Sequence, residues 1–220
     1  MPKRAPSSAE EKRLNYLTHL FFSGPGEEAL LGSLLGDFVK GNPAGRFPPA
    51  VADAILFHRK IDSFSDSHLI SRRSRDRISP LRRRFAGVIV DVCYDHFLSR
   101  HWPQFSPVDL ESFVGRVYFV LGNNQAMLPE RLLRVLPRMI SENWLGSYSR
   151  LEEVGLALDR IAGRLSRGGD FKGAVAEIDA NYQDLEADFL EFFPDLSSFC
   201  TAWKQKQQPD AGSLPTTWPA

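Results

Sequence analysis

Cysteine is scarce in this sequence and long apolar runs are missing. Only Cys93 and Cys200 occur in 220 residues, too few for a disulfide framework, and they read as free thiols of a reducing cytoplasm. No apolar stretch approaches the ~20 residues that a membrane span needs. Lys3 and Arg4 have no apolar segment behind them, so the N-terminus does not read as a signal peptide. Net charge is absent too: 27 basic side chains face 27 acidic ones, which gives no global pull towards nucleic acid. The chain has no Walker-type loop, no dinucleotide fingerprint, no paired CxxC and no nucleophile elbow. Those gaps remove the common nucleotide, redox and serine-hydrolase readings. No internal repeat, interdomain linker or convincing hairpin is visible.

What is present is helical pattern. A hydrophobic content of 43% over this length suffices for one sizeable core. Glu27 to Lys40 reads as a helix opened by acidic residues, with an apolar stripe of Leu30, Leu31, Leu34, Leu35 and Phe38. Gly32 and Gly36 share one face of it, where a neighbour can approach closely. Asp37 falls in its last turn, where a carboxylate opposes the dipole and asks for another role. Pro48-Pro49 opens a second helix to about Phe64, and Asp66 to Arg77 is polar and partly helical. Pro80 starts a long central helix to about Trp102. Ser106-Pro107 reads as a cap and first turn leading to Leu121. Further helices follow from Pro129, with a kink or division at Pro137, and from Ser149 to Ser166, closed by Gly168-Gly169. A last helical segment runs from Phe171 to Trp203 with a break at Pro194. The expectation is an all-α fold: a single helical domain of about seven to eight helices over residues 14–203. A disordered extension, 1–13, precedes it and a flexible tail, 204–220, follows.

Chemistry is concentrated in His and Asp residues lying on apolar segments. Asp91 and Asp95 are four apart in the central helix and share a face, with His96 adjacent. His58 and Asp62 have the same spacing one helix earlier. With His19 and Asp37 they form a set spread over several helices, and helical bundles build metal centres from such side chains. Imidazole and carboxylate without thiolate suit Mn, Fe, Mg or Zn. Each residue also has a structural reading. His19 can be a satisfied core histidine, Asp62 can pair with Arg59, and Asp91 with an arginine of the basic stretch. Asp37 can cap another element, and His68 and His101 read as exposed or structural. The basic stretch itself holds Arg72, Arg73, Arg75, Arg77, Arg82, Arg83 and Arg84 against Asp76 alone. It is either a solvated face or a field that draws an acidic partner or a phosphate. Nucleic acid is the weaker option, because no aromatic stacking platform is interleaved.

Five blocks in order resemble a known family. They are Asn15-Tyr-Leu-Thr-His-Leu20, Leu34-Leu-Gly-Asp-Phe-Val-Lys-Gly-Asn-Pro43, Phe47-Pro-Pro49, His58-Arg-Lys-Ile-Asp62 with Asp66, and Asp91-x-x-x-Asp-His-Phe-Leu-Ser-Arg-His-Trp102. Their order and spacing are similar to those of the acyl carrier protein phosphodiesterases, over roughly residues 14 to 203. The resemblance implies a divalent-metal enzyme, with Mn2+ the usual ion, that hydrolyses 4′-phosphopantetheine from the serine of holo-acyl carrier protein. It implies an HD-domain-like fold, although the family of HD phosphohydrolases carries an adjacent His-Asp pair and this chain has the reverse order, Asp95-His96. Asp37 carries over as a required site residue. His19, His58, Asp62, Asp91, Asp95 and His96 carry over as ligands or the groups that orient them, with Asp37, His58, Asp62 and Asp95 as the catalytic set. The arginines from 72 to 84 are expected to meet the acidic carrier protein, in the cytoplasm, with no nucleic-acid or membrane partner. Two alternatives stay open: an HD-type hydrolase of a small phosphate ester or nucleotide, and a non-catalytic carrier-protein binding module.

Overall fold

The computed structural model describes residues 16–163 and 171–207, and among them every regular element is helical. The α-helices are α1 (Tyr16–Ser23), α2 (Glu27–Leu35), α3 (Pro49–Ser67), α4 (Leu69–Arg77), α5 (Ala86–Arg100), α6 (Trp102–Phe105), α7 (Leu110–Asn123), α8 (Glu130–Ser141), α9 (Trp144–Ser147), α10 (Leu151–Ala162), α11 (Val175–Ala180) and α12 (Tyr182–Gln207). A 3-10 segment, Pro80–Phe85, leads into α5. The all-α single-domain expectation therefore holds, with twelve α-helices among the described residues in place of seven or eight. The extension 1–13 and the glycine pair at 168 and 169 lie outside the described residues, as does most of the tail.

The extra helices come from local breaks that periodicity does not register. Pro80 and its arginines wind as a 3-10 turn, and Pro103 starts α6 as a separate short turn. The cap of α7 is Asp109, whose carboxylate accepts from the Ser112 N–H at 2.8 Å, so this helix starts later than Ser106. α2 stops at Leu35 rather than Lys40, and Phe38 and Val39 donate back to the Leu35 carbonyl in a closing turn. Pro194 breaks nothing: α12 runs through it, as α8 runs through Pro137. Burial of Phe189, Phe192, Phe193 and Leu196 outweighs one lost backbone bond, and Leu190, whose carbonyl loses its donor, is on the exposed side.

α5 sits at the centre. It is buried nearly all round, and Ile89, Val92, Cys93, Phe97 and Leu98 belong to one apolar core that runs from Leu17 to Cys200. α2 and α3 lie against each other more closely than side chains permit. A Cβ at Gly32 would sit 2.4 Å from the Val51 carbonyl oxygen, so glycine is required there.

α4 is clamped to α12 by charge. Asp188 is buried and accepts from Arg73 Nε, Arg77 Nε and the Ser74 hydroxyl. Burial alone would raise its pKa, but the bonds from Arg77, Ser74 and Arg73 outweigh this and hold the carboxyl below its usual range. Arg73 also pairs with Glu191, Arg77 with Asp184, Arg75 with Asp66, Arg82 with Glu177 and Arg83 with Asp76. The stretch expected to present seven arginines to a partner thus spends five of them on acids of its own chain. Truncating the buried acid should expose this. Asp188→Ala is expected to cost about 1–3 kcal/mol in urea unfolding, because the buried Ser74 hydroxyl and both guanidinium groups lose an acceptor they share. Glu191→Ala should cost less than about 1 kcal/mol. Equal, small losses would contradict a structural clamp.

Candidate metal centre

Three segments bring four side chains to one point. α1 supplies His19; α3 supplies His58 and Asp62, one turn apart on a common face. The turn after α2 supplies Asp37. The imidazoles of His19 and His58 stack with centroids 3.7 Å apart at 16°. Asp62 spans them: its Oδ1 lies 3.2 Å from His19 Nε2 and its Oδ2 lies 3.4 Å from His58 Nε2. Asp37 Oδ1 approaches the same His58 nitrogen at 3.3 Å. One ligand atom each from His19, His58 and Asp62 fall within 4.8 Å of one another.

These separations fit ligation better than hydrogen bonding. Donor atoms around one cation, each at about 2.1 Å, stand roughly 3.0–3.4 Å apart in octahedral or tetrahedral geometry. Both nitrogens of His58 and Oδ2 of Asp37 are buried without a hydrogen-bond partner. Buried polar atoms in a packed interior are costly unless satisfied, and a cation satisfies several at once. The donor set, two imidazoles and two carboxylates with no thiolate, suits a divalent ion of the Mn, Fe, Mg or Zn kind.

The surroundings hold these groups in register. A Cβ at Gly36 would lie 2.2 Å from His58 Cγ, so only glycine lets the imidazole occupy its place beside the α2 turn. Arg59 was a plausible partner for Asp62, but it reaches the other way, to the carbonyls of Val39 and Gly41, and ties down the loop after Asp37. Asp95 is fully buried in α5 and accepts the Leu17 N–H at 2.9 Å, the Thr18 N–H at 2.9 Å and the Thr18 hydroxyl at 2.6 Å. It therefore caps α1 from across the core and orients the turn that carries His19. Burial, only partly opposed by those bonds, pushes its pKa up to about 7.

Asp95, expected as a ligand, is thus occupied by the backbone of α1. His96 is also elsewhere: Nδ1 lies 2.6 Å from the Tyr148 carbonyl oxygen and Nε2 2.9 Å from the Tyr182 hydroxyl. Burial lowers its pKa, which suits a neutral, structural imidazole. Asp91 lines a neighbouring cavity with Thr18, Ser65, Ser71 and Arg75. His101 pairs with Glu186, and His68 caps α4 and pairs with Asp195. The structure so gathers His19, Asp37, His58 and Asp62 and separates them from the Asp95-His96 pair. Of the supporting groups, Gly36 had a sequence signal in its shared face with Gly32; the capping role of Asp95 had none.

Comparison with known proteins agrees with the resemblance in the sequence. The model of the family "Acyl carrier protein phosphodiesterase" matches residues 14–196. A protein of that name from Serratia proteamaculans (strain 568) is 36% identical over 184 residues, covering 83% of this chain and 95% of that protein. One from Salmonella newport (strain SL254) is 36% identical over 182 residues, covering 82% and 94%. No solved structure matches the chain.

Two outcomes test the geometry. Gly36→Ala should displace His58 and weaken Mn2+ binding by about tenfold or more in calorimetry, with helical circular dichroism retained; unchanged affinity would contradict the close approach. Asp95 keeps its proton in the folded chain to about pH 7, against an ordinary 3.8, so the folded state binds the extra proton between those values. Stability of metal-free protein should then fall as pH rises through that range, and the fall should shrink in Asp95→Asn. The same pH response in both proteins would contradict it.

Proposed function

The chain is a member of the acyl carrier protein phosphodiesterase family, and from that membership we propose that it hydrolyses the phosphodiester joining 4′-phosphopantetheine to the serine of holo-acyl carrier protein. The observation that carries this reading is the convergence of His19, Asp37, His58 and Asp62, within the matched region, where both His58 nitrogens and Asp37 Oδ2 are buried without a hydrogen-bond partner. These four would hold a divalent cation, Mn2+ in our reading. Such an ion supplies polarisation of a phosphoryl oxygen and a more acidic water.

The side chains divide the remaining work. His19 and His58 stack, and Asp62 approaches both imidazoles, one through each carboxylate oxygen. Asp37 touches the cluster through Oδ1 and keeps Oδ2 available, so it is placed to take a proton from the attacking water. Water adds to phosphorus, the bond to the serine oxygen breaks, and that oxygen leaves with a proton. The products are apo-acyl carrier protein and 4′-phosphopantetheine. Asp95 acts through α1 as a positioning residue rather than at the reacting atoms.

We also read the protein as a cytoplasmic enzyme. Cys93 and Cys200 are free and buried, and no described helix is long and apolar enough to cross a membrane. The HD-like character of the fold is part of the same proposal and rests on a helical His and Asp centre. Docking of the acidic carrier relies less on arginine than the charge count implied. Arg72 and Arg84 remain on the exposed side, next to exposed Leu69 and Leu81, so the docking face is mixed in character.

Intact-mass analysis of holo-acyl carrier protein tests the reaction. Loss of the phosphopantetheine mass is expected with Mn2+ and not with chelator, and Asp37→Ala or Asp62→Asn should slow it on the order of a hundredfold or more. Turnover of small phosphate esters without any action on the carrier would favour the hydrolase alternative. Binding that survives chelation without product would favour the binding module.

A further inference from the structure

Arg59 follows His58 on α3, yet among the described residues its bonds go to backbone carbonyls and not to an acid. Its guanidinium donates to the Gly41 carbonyl oxygen at 2.7 Å and, through the other terminal nitrogen, to that of Val39. Arg46 donates to the carbonyl between them, Lys40, at 2.8 Å. Three successive carbonyls are thus held by two guanidinium groups. A carboxylate is the stronger acceptor for arginine, and Asp62 lies three residues further along the same helix. Asp62 instead approaches the two imidazoles.

This held backbone begins two residues after Asp37. Leu35 and Val39 flank Asp37, and both bury their side chains in a small apolar cluster with Val51 and Ile55, against Phe47. The N–H groups of Phe38 and Val39 return to the Leu35 carbonyl. The turn is therefore fixed by α2 on its amide side, by the apolar cluster beneath it and by Arg59 on its carbonyl side. Gly41, at φ 74°, lets the chain reverse where the second of these carbonyls is held. Two residues span at most about 7 Å, so a shift of the Val39 carbonyl is passed on to Asp37. Asp37 Oδ1 stands 3.3 Å from His58 Nε2, on the residue next to Arg59.

We propose that Arg59 is a positioning residue for the hydrolysis: by holding the carbonyls of Val39 and Gly41 it sets the Asp37 carboxylate against His58. The proposal rests on the metal-centre reading above. A misplacement of about 1 Å at a reacting group can cost on the order of a hundredfold in rate, so a stiff link is worth having. Arginine suits the task because its planar fork spans two acceptors at once, whereas a lysine ammonium is a single flexible point. Turned towards carbonyls, the guanidinium also leaves the Asp37 and Asp62 carboxylates to the centre.

A double-mutant cycle tests this, read as kcat and KM for holo-acyl carrier protein with Mn2+ and, separately, as Mn2+ affinity by calorimetry on metal-free protein. Arg59→Ala should lower kcat by about tenfold or more, with KM for the carrier little changed, and weaken Mn2+ binding by about tenfold. The same substitution in an Asp37→Ala background should change either quantity by less than about twofold, because the group it positions is gone. Arg59→Lys, which still reaches one carbonyl, should recover part of the loss. Losses that multiply fully in the two backgrounds overturn the proposal. So does a lower urea midpoint with kcat and Mn2+ affinity of the folded protein unchanged, since that marks a purely structural residue. If wild type binds Mn2+ but does not cleave the carrier, the functional reading fails, and the calorimetric arm of the cycle still decides the role of Arg59. Absence of Mn2+ binding by wild type overturns both.

Discussion

Burial of two stacked imidazoles against two carboxylates is the constraint around which this fold is arranged. Such groups are expensive inside a protein unless something satisfies them. Here the satisfaction is incomplete within the chain: His58 contributes two buried nitrogens and Asp37 one oxygen without a hydrogen bond. A cation held among these groups, as proposed above, would satisfy them, and the rest of the architecture positions the cluster. The α2–α3 contact through Gly32 and Gly36 brings the Asp37 turn to His58, and Asp95 on the central helix fixes the start of α1 that bears His19.

Much of this was legible in the sequence, and for identifiable reasons. The four-residue spacing of His58 and Asp62 on an amphipathic segment needed only helical geometry. Asp37 stood out because a carboxylate near the end of a helix conflicts with the dipole; the structure puts it just beyond α2, in the turn facing His58. The shared face of Gly32 and Gly36 signalled a close neighbour, and α3 is that neighbour. The Asp91, Asp95 and His96 group looked equally good by spacing. What separates it is tertiary: Asp95 meets the backbone N–H groups of α1, and His96 meets Tyr148 and Tyr182. Backbone donors have no sequence signature, so local pattern could not distinguish a ligand from a cap. Pro194 shows the same limit, since burial of the aromatic face of α12 overrides a local breaker.

The arginine-rich stretch was the reading most changed by the fold. A count of charges along the chain sees a positive field, whereas the folded molecule sees a set of ion pairs. Acids more than a hundred residues away, Asp184 and Asp188, fold back onto Arg73 and Arg77. The field available to a partner is smaller than the sequence suggests, and α4 is tied to α12 instead. α4 also carries Ser71 and Arg75 into the wall of a small cavity that Asp91, Phe192 and Leu196 help to line.

The central claim is that a single cation sits among His19, Asp37, His58 and Asp62. Anomalous diffraction at the manganese edge from crystals grown with Mn2+ tests it most directly. The account predicts one strong peak within ligation distance of the His19 and His58 imidazoles and the Asp62 carboxylate, with Asp37 beside it. Well-ordered, peak-free density at that cluster, or a peak held instead by Asp91, Asp95 or His96, would contradict it.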